Sequence, residues 1–455
     1  MSARIASALK EEDLLLIYEG RGLDWFLLSK LDEAIDDFQI MRQMARASGS
    51  RPKEGESLCH LALAHFQKFS EDHIPIAEKY AQEAMQLSQQ TGDQLILAKS
   101  LASLGKVHQA RGNLHEADRN FEASLQISRR EGFKESSTKT FIFIGLQAYW
   151  QGHFQRAVRM SQEGLALSRE IHDGFHELFA QGNLGFAYTS IGNYDNALSL
   201  LHDGIRKAKE RDSKYAIGRM TNTLGWLHSE FGDLVSAIEY DQESEEVGRR
   251  FSIPNVEISA LINLGIDHFL LGQHERALSY LQPTLDRVQR EAFGAHRWRW
   301  TIRLLIGLAE VHYAQGMYEQ ALRYVGDGLK KAQATSSQKY IAKGWALRGK
   351  ILEMLGNSSA AGAELQRAYK LAEQLGCSAL SYPISFDLGR WYEKAGQEQN
   401  SAVLYAKAKA AVEHMATAIE DEDLRSIFRK SQPVQAIYDC AGRTRGQTSP
   451  SSPEA

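Results

Sequence analysis

Fifteen histidines are the side chains here best suited to moving protons near neutral pH. His115, His153 and His274 stand singly beside glycine-containing breaks, and no His-Glu-X-X-His zinc pattern accompanies them. Glu243, Glu245 and Glu246 crowd one stretch, but successive helical residues point to different faces, so they do not form a general acid and base. No serine lies in a Gly-X-Ser-X-Gly elbow, and Cys59, Cys377 and Cys440 are far apart without CxxC spacing. Nothing assembles a nucleophile, a base and an oxyanion site. The expectation is a non-enzyme with no metal and no cofactor.

Binding chemistry is better represented. Lys99, Lys139, Phe179, Arg219, Ser259, Arg303 and Lys343 recur at steps of 40 residues, with one step of 44. A second register reads Lys106, Leu146, Phe186, Trp226, Ile266, Glu310, Lys350 and Arg390. Basic residues gather towards both ends of these series and apolar or aromatic ones in the middle. Such a lining suits a peptide with acidic residues, its apolar side chains received by Phe179, Phe186, Trp226 and Phe269 and its carboxylates by the lysines and arginines. The same residues also read as solvated cations and packing groups. Glu230, Glu310, Glu353 and Glu393 project nearby and interrupt a uniformly basic surface.

The element that positions these side chains is a repeat. Gly22, Ala62, Gly105, Gly145, Gly185, Gly225, Gly265, Ala309, Gly349 and Gly389 mark ten copies, at steps of 40, 43, four of 40, 44, 40 and 40. A second glycine follows seven residues later from Gly112 to Gly396, and alanines such as Ala117 and Ala197 stand five further on. In the fifth copy Leu184, Tyr188 and Ile191 share one helical face, Gly192 and Asn193 break the helix, and Ala197, Leu198, Leu201, Ile205 and Ala208 form a second stripe. The short connection makes the two helices, A and B, antiparallel. Glycine inside a helix costs about 1 kcal/mol against alanine, so its recurrence at Gly185 and Gly204 signals close helix packing. The fold class expected is all-α, a right-handed solenoid of about ten hairpins over residues 1–415. A capping segment at 416–440 carries Leu424, Ile427, Phe428, Val434 and Ile437, and a disordered tail covers 441–455.

Bulk composition agrees with this. Charged residues at 24%, hydrophobic ones at 43% and only 8 prolines describe a folded, helix-rich chain. A net charge of −4 gives no general attraction to nucleic acid, and neither a signal peptide nor a membrane span is visible. Protein or peptide partners in the cytoplasm are expected, with no nucleic acid and no membrane; oligomeric state is left open. The run Arg297, Trp298, Arg299, Trp300 and Arg303 coincides with the step of 44. It alternates cations with indoles, suited to stacking bases or gripping an acidic partner, but the reading preferred is packing of the indoles on the preceding B helix.

The small residues of this helix-turn-helix unit, with Gly-Asn-Tyr-Asp-Asn-Ala at 192–197, resemble tetratricopeptide repeats across some 400 residues. The stretches 296–303, 339–345 and 424–434 further resemble the carboxy-terminal repeat arrays of bacterial multidomain regulators that carry a signalling ATPase or a nucleotide cyclase. No GxxxxGK[ST] phosphate loop occurs here. The resemblance therefore implies binding and regulation in a bacterial-type signalling system. The alternatives are a sensor that switches a partner ATPase or cyclase, or the detached repeat half of a larger enzyme. Asn183 and Asn263, two residues before their glycines, with Asn222 one residue off that register, resemble the asparagine row by which some members of the family hold a peptide backbone.

Overall fold

Each glycine-marked stretch is a helix, and at six of the marks the glycine faces a large side chain sixteen residues later on the partner helix. In the computed structural model, which describes residues 10–28 and 30–446, a Cβ built on Gly22, Gly105, Gly185 or Gly265 would lie 2.5 or 2.6 Å from Phe38, Phe121, Leu201 or Leu281. At Gly349 and Gly389 the intruded residues are Leu365 and Tyr405, at 2.8 Å. The glycines let the two helices approach until those side chains fill the space where a Cβ would stand. Small residues on the B helices do similar work: Ser124 and Ser244 donate to the carbonyls of Ala98 and Gly218 on their own A helices at 2.8 and 2.9 Å.

The A-to-B turn closes as expected. Gly192 adopts φ 76°, and the amide of Asn193 reaches the carbonyl of Tyr188 at 3.0 Å, which satisfies the last turn of the helix.

Twenty-two helices appear among the described residues. Ten hairpins come first: α1 Glu11–Leu27 with α2 Leu31–Ala47, α3 Arg51–Gln67 with α4 His73–Thr91, α5 Gln94–Arg111 with α6 Leu114–Arg130, α7 Lys134–Gln151 with α8 Phe154–Glu170, and α9 Gly174–Ile191 with α10 Tyr194–Glu210. The other five are α11 Lys214–Phe231 with α12 Leu234–Arg250, α13 Pro254–Leu270 with α14 His274–Arg290, α15 Arg297–Ala314 with α16 Tyr318–Ala334, α17 Gln338–Met354 with α18 Ser358–Leu375, and α19 Ser378–Lys394 with α20 Glu398–Thr417. Two further helices close the series, α21 Glu422–Lys430 and α22 Gln432–Gly446. The last helix thus runs past the expected start of the tail at 441, and residues 447–455 lie outside the described residues. No described helix is long and apolar enough to cross a membrane.

The chain gathers into two compact units. One holds the helices up to Gln147 together with Glu163–His176 and Arg290–Trp298; the other holds Ala148–Gln162, Glu177–Gln289 and the helices from Arg299 onwards. In the first unit the extra residues of the 44-residue step form an extended segment on hairpin 2. Glu71 donates to the carbonyl of Ala292 at 2.8 Å and Gly294 to that of Phe69 at 2.6 Å. Ala295 enters a core with Phe66, Ile74 and Val107. Gly294 is required there because a Cβ would run into the Ser70 carbonyl. Trp298 donates from Nε1 to the carbonyl of Gln109 on α5 at 3.1 Å. This indole is therefore engaged within the fold on α5, whereas the reading above expected it on the preceding B helix.

In the second unit, late helices return to early ones. The Cys377 thiol meets the Ser190 carbonyl at 2.7 Å. The Asp195 carboxylate accepts from the Glu420 amide at 3.0 Å through both oxygens, and Ser431 lies against Gly232. Phe428, Val434 and Ile437 enter one core with Tyr194, Leu201, Phe231 and Met415, whereas Ile427 is exposed. The closing helices therefore cover hairpins 5 and 6 as well as the last hairpin.

Candidate binding site

The series chosen by offset from the repeat glycine fall on the A helices, and each side chain has a definite surrounding. In the first unit Lys99 on α5 is half-exposed, and Lys139 on α7 pairs with Glu135 one helical turn away at 2.5 Å. Lys106 is different. It is only 9% exposed, and its ammonium nitrogen lies 4.4 Å from the ring centroid of Phe66 and 4.8 Å from that of Phe143. Burial, with Lys139 adding repulsion, brings its pKa down to about 7.

In the second unit the aromatic residues form two groups, one of tilted rings and one stacked pair. Phe186 on α9 lies 4.1 Å from the ring of Tyr149 and 4.9 Å from that of Trp226 on α11, and Phe179 stacks on Tyr215 at 5.2 Å. Lys339, from the first turn of α17, places its ammonium 4.7 Å above Trp226 and is 8% exposed. The chain's own helix thus covers part of the apolar lining. Trp226 donates to Glu230 at 2.8 Å. Phe269 stacks on His274 at its own hairpin turn.

The asparagine row is engaged internally. Asn183 on α9 accepts from Arg219 on α11, and Asn263 on α13 accepts from Arg303 on α15 in the equivalent register. Asn222 and Asn263 both donate to Oδ1 of Asp241, at 2.6 and 3.1 Å. Further along, Lys350 pairs with Asp387 at 3.5 Å, and that carboxylate raises its pKa, while Lys343 and Arg390 are exposed.

Asp241 did not figure among the candidate residues. It occupies, opposite Gly225, the position at which other hairpins carry Phe38, Phe121, Leu201, Leu281, Leu365 or Tyr405. It is fully buried, and Asp267 on α13 is 1% exposed. Burial, reinforced by Asp267, pushes the Asp241 carboxyl well above the usual range. Burial also lifts Asp267 to about 7, although hydrogen bonds from Ser229 and Asp241 and the charge of Arg303 oppose this. Burial and mutual repulsion thus favour the protonated form of Asp241 and bring the titration of Asp267 up to neutral pH. Reading the position sixteen after each glycine down the sequence exposes this acid among large apolar side chains, a signal that offsets on the A helices alone do not carry.

Lys339 and Tyr340 were also absent from the candidate set, and Arg299 entered it only within the run of cations and indoles at 297–303. They lie ten residues before Ala309 and at the start of α17, one turn ahead of Arg303 and Lys343. Arg299 donates to Asn255 at 3.2 Å and stands 5.0 Å over the ring of Trp150. Among the described residues no cluster of three or more histidine, cysteine, aspartate or glutamate side chains could hold a metal ion.

Two family models, both described as tetratricopeptide repeat, match the chain at residues 97–131 and 256–334. No curated protein matches it. Among solved structures, a Rap protein complexed with Competence and Sporulation Factor is similar at 14% identity and a TM-score of 0.58, over 80% of this chain and 100% of that one. The Rap conjugation gene regulator of plasmid pLS20, in complex with the Phr* peptide, is similar at 15% identity and a TM-score of 0.52, over 80% and 98%. A signal transduction ATPase with a tetratricopeptide repeat sensor, from Pyrococcus horikoshii, covers 93% of this chain with 66% of its own length, at 16% identity and a TM-score of 0.46. The ten hairpins, eight marked by glycine and two by alanine, form an α-solenoid, and the stretches 97–131 and 256–334 of it match the tetratricopeptide repeat.

Proposed function

We propose that this protein is a non-catalytic binding module of a bacterial-type signalling system, and that it receives a peptide or a protein segment against the A helices of its second unit. The observation that carries this reading is the arginine–asparagine pair that joins α9 to α11 and recurs in the same register between α13 and α15, with half-buried aromatic rings beside it on α9 and α11. An arginine already oriented by an asparagine acceptor loses little further freedom when it meets a carboxylate, and aromatic faces accept apolar side chains. Two solved proteins of the same fold hold a peptide or a named factor in their complexes, which supports the reading without specifying this chain's ligand.

The structure selects which lining residues to alter. Lys106 is buried and Lys350 is paired, so reversing their charge would disturb folding before binding. Phe179→Ala combined with Lys343→Glu alters a half-buried and an exposed lining residue. A displayed random-peptide library is expected to yield sequences enriched on the wild type and lost on this variant. Identical enrichment on both would place binding elsewhere on the molecule.

A further inference from the structure

The lining of the second unit carries positive charge that its own carboxylates do not neutralise. Arg219, Arg299, Arg303, Lys339 and Lys343 form no ion pair among the described residues, although ion pairs are frequent elsewhere on the molecule. The three arginines are held instead by neutral amides, those of Asn183, Asn255 and Asn263. An amide orients a guanidinium without cancelling its charge. The Nε–H of Arg299 is shielded from solvent and meets no acceptor, which leaves a directional donor unused.

The cations also feel one another. Burial, followed by the repulsion of Arg303 and Arg219, lowers the pKa of Arg299 to about 10. Burial would raise the Tyr340 phenol, yet Arg303, Lys339, Lys343 and Arg299 together bring it below its ordinary value. The carboxyls in range do not restore neutrality at the arginines. Asp241 and Asp267 are pushed towards their protonated forms, Glu230 accepts from Trp226 and acts on Lys339, and Glu310 acts on Lys343 and Lys350. Keeping like charges together without a counter-ion is destabilising, and a bound polyanion would reverse that term.

We propose that Arg219, Arg299 and Arg303, with Lys343 at the rim, form a binding site for a small anion of the phosphate class carrying two or more negative charges. A planar carboxylate takes one guanidinium side-on. A phosphoryl group offers three oxygens in different directions and so accepts from arginines on two different helices, α11 and α15. The site deepens the peptide reading and rests on the same lining, since Arg219, Arg303 and Lys343 belong to both, but a ligand without apolar side chains satisfies it.

The test is titration calorimetry of the full chain with inorganic pyrophosphate at low ionic strength. Tricarballylate and a tetraglutamate peptide are run as carboxylate probes. Saturable binding of one pyrophosphate per chain is expected. Arg303→Gln should weaken it by at least about tenfold, and Lys343→Gln, an exposed position, by a few-fold. Phe186→Ala, a ring that packs on Tyr149 and Trp226, should leave pyrophosphate affinity unchanged while affecting peptide capture, which separates failure of this site from failure of the peptide reading. Circular dichroism establishes whether Arg303→Gln folds; if it does not, Lys343→Gln decides. Absence of saturable pyrophosphate binding to the wild type up to about 10 mM, unchanged affinity in the deciding variant, or tighter binding of tetraglutamate would each overturn the assignment.

Discussion

Replacing Asp267 with asparagine measures what the buried carboxyl pair costs the fold. The Asp267 carboxyl is lifted from the ordinary 3.8 to about 7, so between those values the native chain keeps a proton that the unfolded chain releases. Stability is therefore greatest below about pH 4, falls as pH rises through this window, and levels off above about 7. Each pH unit inside the window costs about 1.4 kcal/mol for one retained proton, so the loss from pH 5 to pH 7 is about 3 kcal/mol at most. An asparagine side chain keeps the shape, accepts from Ser229 and donates to Asp241, and it removes that titration. Repeat arrays do not unfold in a single all-or-none step. The assay is accordingly local: hydrogen exchange of α12 and α13 amides at pH 5, 6, 7 and 8, corrected for intrinsic exchange rates. The wild-type opening free energy should fall between pH 5 and 7, and the fall should be at least halved in Asp267→Asn. Equal slopes in the two proteins would refute the reasoning.

Four further substitutions probe the packing. Gly185→Ala puts a Cβ 2.6 Å from Leu201 and should cost about 1–3 kcal/mol, whereas Gly326→Ala, with nothing within 4 Å, should gain up to about 1 kcal/mol from helix propensity; opposite shifts in thermal midpoint check the pair. Lys106→Met replaces a buried amine whose pKa is brought down to about 7, a group that costs stability fully below that pH and progressively less up to its unfolded value of 10.5. The variant should raise the thermal midpoint at pH 6, with the gain shrinking by pH 10. Asp195→Ala removes the acceptor for the Glu420 amide and should cost about 1 kcal/mol, read as faster limited proteolysis between residues 415 and 425.

The hairpins were legible because their causes are local. A glycine where two helices touch, a second glycine in the turn and an apolar stripe of period 3.6 are all set within forty residues, and ten marks correspond to ten hairpins. What lay beyond the sequence was which distant hairpins meet. The path of a solenoid accumulates from small rotations at each interface, and no residue pattern states their sum. Lys339 over Trp226, the Cys377 thiol on the Ser190 carbonyl and the helices around Phe428 covering hairpins 5 and 6 arise from that accumulation. The lining offsets did locate Arg219, Arg303, Asn183 and Asn263 but not that they pair, since those bonds cross from one repeat to the next. Asp241 was within reach of the sequence, through comparison of equivalent B-helix positions.

The contacts that bring the closing helices onto hairpins 5 and 6 join residues 187 to 225 positions apart. An ordinary repeat array can fold as it emerges from the ribosome, each hairpin docking on the one before it. Here Ser190 and Asp195 leave the exit tunnel long before Cys377 and Glu420 are made. At about 5–20 residues per second, that interval is roughly 10–45 s. During it, the apolar surface around Tyr194 and Phe231 lacks the side chains that finally cover it. Synthesis of this chain therefore includes a period of exposure that the finished molecule no longer shows, and a chaperone acting on the nascent chain would find its substrate in the middle of the sequence, not at either end.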